Sequence, residues 1–246
     1  MHRNASVIEA ANAAMGIVDT AATLVVDTYF HVVALSKNES DGYIPQAAMT
    51  KQLQVMNAAY QPYGIQFNLK GTDWTINKRW AVDKKTKRMK AALRKGDYKT
   101  LNIYFQKRLK DDNLGYCYFP RGPPKPGSKK FIRDGCSIDG ASVPGGAYTG
   151  YNLGLTAVHE VGHWFGLLHT FEGQNCAGTG DFVADTPQQI SATVGCPEGR
   201  DSCPSSPGLD PIHNYMDYST DACYTQFTEG QRQRMITMYN TYRKNS

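Results

Sequence analysis

One stretch of eleven residues constrains this chain more than any other. It runs from His159 to His169 and reads HEVGHWFGLLH. On a helix, His159 and His163 stand four positions apart, so both imidazoles leave the same face and can bind one metal ion. Gly166 can adopt the positive φ that ends a helix, so the chain can turn sharply and return His169 as a third ligand. The spacing predicts one zinc ion with three protein ligands and an open fourth position.

The carboxylate inside the motif predicts hydrolytic chemistry. Zinc lowers the pKa of a bound water to about 7, so Glu160 can take a proton from that water and pass it to a leaving amine. Three imidazoles with a water suit zinc better than iron, whose common site includes a carboxylate ligand. The alternative is an amphipathic helix with ordinary histidines, but three of the six histidines of the chain fall at the required offsets.

Length and composition indicate a soluble globular protein. The chain has 246 residues, of which 41% are hydrophobic and 20% are charged, enough for one full core and one domain. No apolar run approaches the roughly 18 residues of a transmembrane helix. The first residues lack the apolar segment of a signal peptide, so we expect any signal to be absent from this chain. We expect a monomer and no membrane partner.

The cysteines indicate the compartment. They are even in number and form no C-x-x-C pair, which favours disulfides over metal ligands. Disulfides predict an oxidising environment and a secreted protein, and N-x-S sequons at Asn4 and Asn38 fit that prediction. The spacing alone leaves many pairings open. The six are Cys117, Cys136, Cys176, Cys196, Cys203 and Cys223.

The net charge of +5 originates largely between Lys78 and Lys110. A nucleic-acid or heparin patch is one interpretation of such a cluster. The other is a solvated helix face, which the lack of interleaved aromatic residues and of any nucleic-acid-binding motif favours. We therefore expect no nucleic-acid partner.

Hydrophobic periodicity predicts alternating strands and helices in the first half of the chain. The pattern of strand, helix, strand, helix and strand is typical of an α/β sheet. The predicted elements are a helix at 7–15 behind an S-x-x-E capping box, a strand at 28–35, a helix from Pro45 to Tyr60, a strand at 65–69 with Trp74 following a turn, a helix at 89–95 and a strand at 101–105.

The second half is predicted to be less regular. Residues 172–213 are rich in Gly, Pro, Ser and Asp and hold three cysteines, so we expect an irregular region stapled by disulfides. The other predicted elements are a short strand at 114–119, an exposed loop at 120–130, a strand at 137–143, a zinc helix that begins near Asn152 or Leu153, and a last helix at 229–242 with Thr228 as N-cap.

The extended zinc motif resembles that of the metzincin metalloproteases, which place a Met-containing turn beneath the metal. The sequence NYMDY follows at residues 214–218. The resemblance implies that Met216 packs below the three histidines and that Tyr218 lies near the zinc and stabilises the tetrahedral intermediate. With DTP at 185–187 and DAC at 221–223, the chain is similar to the pappalysin family, specifically to its small secreted microbial and fungal members.

The resemblance covers about residues 28–242, although its specific motifs lie between 150 and 230. It implies an α+β fold with a twisted, mostly parallel five-stranded sheet and two long helices above a cleft, over an irregular lower subdomain with a C-terminal helix. We expect an N-terminal extension at 1–25 and a catalytic domain at 26–246, divided into 26–166 and 167–246. The strand near 114–119 becomes the antiparallel edge strand, to which an extended peptide can add.

Three finer expectations come from the resemblance alone. It implies disulfides Cys176–Cys203 and Cys196–Cys223, which leaves Cys117 with Cys136. It implies a structural calcium ion near Asp181, Asp185 and Thr186, although two carboxylates are few for an ion that takes about six to eight oxygens, and a solvated acidic turn is the alternative. It also implies cleavage before Lys or Arg, with Asp221 as the acidic pocket residue and Asp217 equally close in sequence.

The sequence therefore predicts a secreted, extracellular zinc endopeptidase that acts on proteins or peptides. One alternative is a catalytically silent, zinc-stabilised binding module, which the intact Glu160 argues against. Another is a basic heparin- or nucleic-acid-binding protein in which zinc serves only the structure.

Overall fold

The structure is a computed structural model that describes residues 1–14, 23–122 and 124–244. Met15, the last residue of the predicted N-terminal helix, lies outside the described residues, as does Pro123 in the predicted loop. The described part of the first helix, α1, covers His2–Ala14. It packs against the last helix of the chain through an ion pair of 2.7 Å between Arg234 and Glu9.

Five strands form one sheet in the order β2-β1-β3-β5-β4. All neighbouring pairs are parallel except β4 and β5, which are antiparallel and place β4 at the edge. The predicted mostly parallel sheet with an antiparallel edge strand is confirmed. The strands are β1 Leu24–Ala34, β2 Ile65–Ile76, β3 Leu101–Gln106, β4 Gly115–Cys117 and β5 Cys136–Asp139.

The two longest strands differ from their predicted form. β1 starts earlier than expected and is nearly continuously apolar, because both faces of the sheet are covered there. β2 is one strand through Trp74, so the predicted turn before Trp74 is wrong. A β-bulge replaces it: Leu69 pairs with Thr28 and Gly71 with Tyr29, so the intervening Lys70 is the extra residue.

Helices cover the two faces of the sheet unequally. The remaining helices are α2 Gln46–Tyr60, α3 Thr86–Leu93, α4 Lys129–Arg133, α5 Leu155–Trp164 and α6 Glu229–Tyr242. α2 and α5 pack on one face around the main core, and the Tyr60 hydroxyl joins them by donating to the Val158 carbonyl at 2.8 Å. α3 packs on the opposite face against a small cluster of Val33, Ala81 and Tyr104.

The helix predicted at 7–15 begins at His2, and the helix predicted at 89–95 is α3 at Thr86–Leu93, so both start earlier than predicted. Three other boundaries differ from prediction for a local reason. α4 begins inside the predicted loop because the Ser128 hydroxyl accepts the Phe131 N–H and caps it. β5 ends at Asp139 because this carboxylate accepts the Ala141 N–H and starts a 3-10 turn. α5 begins at Leu155, after Gly154 adopts a φ of 90°.

The lower half has little regular structure, as predicted. Between α5 and the 3-10 turn that begins at Asp221, the described chain contains no helix or strand. α6 closes this half, and Thr228 forms the predicted N-cap in a full capping box with Gln231. The disulfides are Cys117–Cys136, Cys176–Cys203 and Cys196–Cys223, which are the pairings that the resemblance implies. Within the described ranges, no helix has the length and apolar character needed to cross a membrane.

Candidate metal centre

The three motif histidines converge on one point. Nε2 of His163 lies 3.1 Å from Nε2 of His159 and 3.1 Å from Nε2 of His169. Tetrahedral zinc with Zn–N bonds of about 2.0–2.1 Å separates its nitrogens by about 3.3 Å, so the spacing fits one zinc ion. A second group, formed by Cys196, His213 and Cys223, is not a metal site because its cysteines form a disulfide.

The protein fixes the orientation of the imidazoles. His159 Nδ1 donates to the carbonyl of Tyr215 and His163 Nδ1 donates to the carbonyl of Leu167, each at 2.7 Å. These bonds hold the proton on Nδ1 and turn the lone pair of each Nε2 toward the shared point. Burial lowers the pKa of His163 to about 4, and burial with the adjacent His163 lowers the pKa of His169 to about 3. The neutral rings are ready to bind a cation.

The turn after α5 delivers the third histidine. Gly166 has a φ of 97°, as its place in the motif predicts. A side chain there would also meet Met238 of α6, since an added Cβ would lie 2.8 Å from the Met238 Cε. The glycine therefore serves both the sharp turn and the close packing of α6 beneath it.

Glu160 lies beside the histidines, and no residue that the structure describes forms an ion pair with it. Glu160 is 6% exposed, and its Oε2 atom is buried with no hydrogen bond within the described chain. Burial raises the pKa of Glu160 to about 8. The edge strand approaches it closely: a Cβ on Gly115 would lie 2.5 Å from the Glu160 Cγ. A carboxyl group whose pKa lies near neutral pH and that lines a cavity can take and release protons.

Met216 and Tyr218 surround the histidines from the lower half. Met216 is fully buried and packs against Gly162 of α5, where any side chain would overlap its sulfur. Its N–H donates to Asn214 Oδ1 at 2.9 Å, and Asn214 is bonded to Gln231 in the α6 capping box. The Tyr218 ring is 47% exposed and lies 4.9 Å from the ring of His169.

A cavity of about 310 Å³ opens on one side of Glu160. Asp221 lines it and is 2% exposed; its Oδ2 accepts the Leu153 N–H at 2.7 Å, while its Oδ1 is buried without a partner in the described chain. Burial raises the pKa of Asp221. Asp217 is different, because it is fully buried and accepts hydrogen bonds from Gln189, Thr193 and Tyr218.

A second cavity, of about 360 Å³, opens on the other side of Glu160. The two cavities share Gly115, Glu160 and Tyr218, so they form one cleft that passes over the histidines. The edge strand β4 bounds this cleft from above. The sequence predicts this strand but gives no signal for Phe119 as a site residue, although its ring lies 5.3 Å from the ring of His163 in the second cavity.

The loop expected to bind calcium has other partners for its oxygens. Asp185 accepts hydrogen bonds from the Thr228 hydroxyl at 2.7 Å and from the Gly230 N–H at 2.8 Å, so it caps α6. The Arg234 guanidinium already donates to the Phe182 carbonyl at 2.6 Å. Burial raises the pKa of Asp181 to about 7. Asp185 is therefore engaged elsewhere, whereas the Thr186 hydroxyl is buried without a partner in the described chain. Calcium near Asp181, Asp185 and Thr186 stays a prediction.

Other groups at the site carried no sequence signal. Phe171 stacks on His169 with ring centroids 4.8 Å apart, but nothing in the motif requires an aromatic residue there. Lys90, which the sequence places in a basic surface cluster, is 1% exposed. Its ammonium group donates to two carbonyls and lies 5.6 Å from the ring of Tyr116 on the edge strand.

Comparison with known proteins gives a consistent result. The sequence profile of the peptidase family described as pregnancy-associated plasma protein-A, Peptidase_M43, matches residues 84–240. An extracellular metalloprotease of Neurospora crassa is 58% identical over 238 residues, which are 97% of this chain and 82% of the relative. Extracellular metalloprotease 1 of Coccidioides posadasii is 56% identical over 225 residues, 92% of this chain and 80% of the relative.

A solved structure has the same architecture. Mature mirolysin of Tannerella forsythia, in complex with a cleaved peptide, superimposes with a TM-score of 0.75 at 28% sequence identity. The superposition covers 89% of this chain and 92% of mirolysin.

Proposed function

Because this chain belongs to the pappalysin family and is an extracellular zinc metalloendopeptidase, we propose that Glu160 performs proton transfer for peptide-bond hydrolysis, with His159, His163 and His169 as the zinc ligands. The observation that carries the proposal is the convergence of three Nε2 atoms beside an unpartnered, buried carboxyl group in a continuous cleft. Its substrates are proteins or peptides. A silent binding module is not favoured.

Bound zinc supplies Lewis acidity that polarises the substrate carbonyl and makes a water acidic enough to lose a proton near neutral pH. The residues of the chain supply the rest. Tyr215 and Leu167 hold two of the imidazoles in the correct tautomer through their carbonyls. Phe171 stacks on the third imidazole and limits its rotation.

Glu160 moves the proton. In the free protein its pKa of about 8 reflects burial without a cation, and a divalent cation beside it lowers that value. As carboxylate it takes a proton from the attacking water, and as carboxylic acid it gives the proton to the leaving amine. Glu160 lines both cavities, so its carboxyl group lies beside the space that water and substrate occupy.

Tyr218 and the edge strand act on the substrate. The Tyr218 ring borders both cavities, so its hydroxyl can donate to the developing oxyanion above the histidines. In the described sheet, β4 is hydrogen-bonded to β5 on one side and stands at the edge on the other. The main-chain groups of that outer side can therefore hydrogen-bond an extended peptide. Met216 stays beneath the ligands as packing. The division into upper residues 26–166 and lower residues 167–246 follows this cleft.

Asp221 is the proposed determinant of cleavage before Lys or Arg. Asp221 lines the cavity, whereas both oxygens of Asp217 accept hydrogen bonds inside the lower half. Tyr148 and Tyr151 also line that cavity and offer aromatic faces to a long basic side chain. A cation that enters this cavity meets a carboxylate that is already desolvated.

Hydrolysis of casein by the zinc-loaded protein tests the role of Glu160. The Glu160→Gln variant keeps the shape of the side chain, so we expect it to retain zinc while its hydrolysis rate falls by about 10²- to 10⁴-fold. Glu39→Gln, on an exposed loop, is the matched control and keeps wild-type activity. Hydrolysis by Glu160→Gln at the rate of the control, with zinc content equal by metal analysis, would remove Glu160 from this role.

Mass spectrometry of the same digest tests Asp221. We expect cuts enriched before Lys and Arg, and we expect Asp221→Asn to reduce that enrichment while cleavage elsewhere continues. Asp112→Asn, at an exposed position of the same cavity, is the control. An even spread of cuts in the wild-type digest contradicts the assignment without affecting that of Glu160.

A further inference from the structure

Charge is divided very unevenly along the chain. Residues 78–133 contain 18 of its 27 Lys and Arg but 4 of its 22 Asp and Glu, a formal charge of +14. The rest of the chain therefore has a formal charge of −9. Such a separation in a molecule of net charge +5 creates a strong local field.

The fold collects these cations on one surface. α3 buries Met89 and Lys90 against the sheet and turns Lys87 and Arg88 toward solvent. Lys84, two residues before the helix, is also exposed. α4 lies beside α3, because the Lys90 ammonium group donates to the Arg133 carbonyl at 3.0 Å.

α4 adds a second row of cations. Its Phe131 packs under Arg94, with the guanidinium carbon 4.4 Å from the ring centroid, so the opposite side of this short helix faces solvent. We name the resulting surface the basic face. It consists of the exposed residues Lys84, Lys87, Arg88, Lys129, Lys130 and Arg133.

The six cations lack carboxylate partners within 4.0 Å in the part of the chain that the structure describes. Nearby basic residues behave differently: Lys95 pairs with Asp73 and Lys99 with Asp97. Asp83, close in sequence, is buried and accepts hydrogen bonds from Thr86 and Tyr116. An ordinary solvated helix face mixes both signs of charge, and the basic face does not.

The basic face lies on the opposite side of the sheet from α5 and its histidines. A partner bound there leaves the cleft open. The clustered cations of the basic face fit a linear polymer of repeated negative charges. Among the described residues, Tyr118 is the exposed aromatic side chain beside this face, with its ring 4.9 Å from the Lys90 Nζ. A single ring does not form the series of stacking rings that binds successive nucleic-acid bases, nor an apolar surface for membrane insertion.

We propose that the basic face binds an acidic polysaccharide and so holds the extracellular protease on such a polymer while the cleft works. Lysine and arginine recognise sulfate and carboxylate groups by charge and hydrogen bonding, without reading a sequence. The interaction weakens with salt because exposed charges are screened within about 8 Å at physiological ionic strength.

Heparin, a sulfated polysaccharide, is the probe. We expect the zinc-loaded protein to be retained on immobilised heparin at physiological salt. The triple variant Lys87→Glu, Arg88→Glu and Lys130→Glu should bind heparin at least about tenfold more weakly. Both proteins should hydrolyse a short peptide at the same rate, because the substituted residues lie away from the cleft.

A charge-matched control separates the face from the net charge. Arg3→Glu, Lys51→Glu and Lys244→Glu change the total charge by the same amount at exposed positions outside residues 78–133. This triple should elute close to the wild type. A second variant with Gln at 87, 88 and 130 is included in case charge reversal disturbs folding. It should elute between the wild type and the variant with Glu at 87, 88 and 130.

Three outcomes would overturn the proposal. One is wild-type protein that passes through heparin at physiological salt. Another is equal loss of binding in the control triple, which would reduce the effect to total charge. The third is tighter binding to double-stranded DNA or to anionic phospholipid vesicles than to heparin at the same salt, which would assign the face to a different class of partner.

Discussion

The two halves that meet at the metal centre are held together by different forces. Above the cleft, the sheet is packed between helices around apolar residues such as Phe30, Phe105 and Trp164, all fully buried. Below it, the chain around residues 172–213 is held by the disulfides Cys176–Cys203 and Cys196–Cys223 and by buried polar groups. Two of the proposed zinc ligands come from the first half and the third from the second, so the proposed site depends on both kinds of stabilisation.

The largest expected effect is the loss of the buried polar core of the lower half. Asp217 is fully buried and accepts hydrogen bonds from Gln189 Nε2, Thr193 N and Tyr218 N at 2.8–3.0 Å. Asp217→Ala leaves these donors buried without an acceptor, so we expect the free energy of unfolding to fall by about 3 kcal/mol or more. Urea denaturation measures the change.

Glu198→Gln is the control for Asp217, because Glu198 belongs to the same half but is exposed. We expect that substitution to change stability by less than about 0.5 kcal/mol. Equal effects of the two substitutions would show that the disulfides alone stabilise the lower half.

The joint between the halves is the next place to test. Gly166→Ala introduces a side chain at a φ of 97° and against Met238, so we expect a loss of about 2–3 kcal/mol and weaker zinc binding through displaced His169. Gly195→Ala is the matched control, since Gly195 has a φ of 76° but open space around it. It should lose about 1 kcal/mol.

Thermal unfolding and a zinc titration of both variants give the comparison. If Gly166→Ala and Gly195→Ala lose the same stability and bind zinc equally, the positive φ of the glycine accounts for the whole loss of stability. The packing of Met238 against the turn would then contribute nothing to the third ligand.

The upper half was more predictable from sequence than the lower half. Apolar alternation and βαβ order reveal the strands around Phe30 and Ile103, because a buried sheet requires such patterns. The spacing of the motif locates His159 and His163, since a helix has a fixed period. Gly115 could not be selected from a predicted strand, because its importance arises only when Glu160 packs against it.

The lower half follows no period, so its partners are invisible in the sequence. Asp217 and Asp221 stand four positions apart in the same loop, yet one is saturated with hydrogen bonds and the other lines the cavity. Asp185 caps a helix that begins more than forty residues later. Such long-range polar pairing depends on loop conformation, and local propensity does not encode it.

Lys90 is a buried cation in the upper half, so stability should depend on pH. Burial lowers its pKa to about 7 in the folded protein, whereas an unfolded lysine titrates near 10.4. Between these values the unfolded chain binds one more proton, so the free energy of unfolding should rise with pH, by at most about 1.4 kcal/mol per unit. Urea denaturation from pH 7 to 9.5 measures this slope.

Lys90→Met should flatten that slope, because it removes the titrating group but keeps the length of the side chain. Lys87→Met, on the exposed side of the same helix, should keep the wild-type slope. A slope that survives in Lys90→Met would mean that another group titrates, and the buried ammonium group beside the edge strand would then stay charged throughout.

The smallest expected effect concerns calcium and the lower half. Since Asp185 already caps α6 and Arg234 already donates to the Phe182 carbonyl, we expect millimolar calcium to shift the melting temperature of the zinc-loaded protein by less than about 1 °C.

Arg234→Met should lower the melting temperature by several degrees, because Glu9 and the Phe182 carbonyl lose their buried partner. A melting temperature that rises with calcium and saturates would instead show a bound ion, because a ligand that binds only the folded state stabilises it in proportion to the logarithm of its concentration. The stability of the lower half would then depend on a calcium ion in addition to the zinc that both halves are proposed to share.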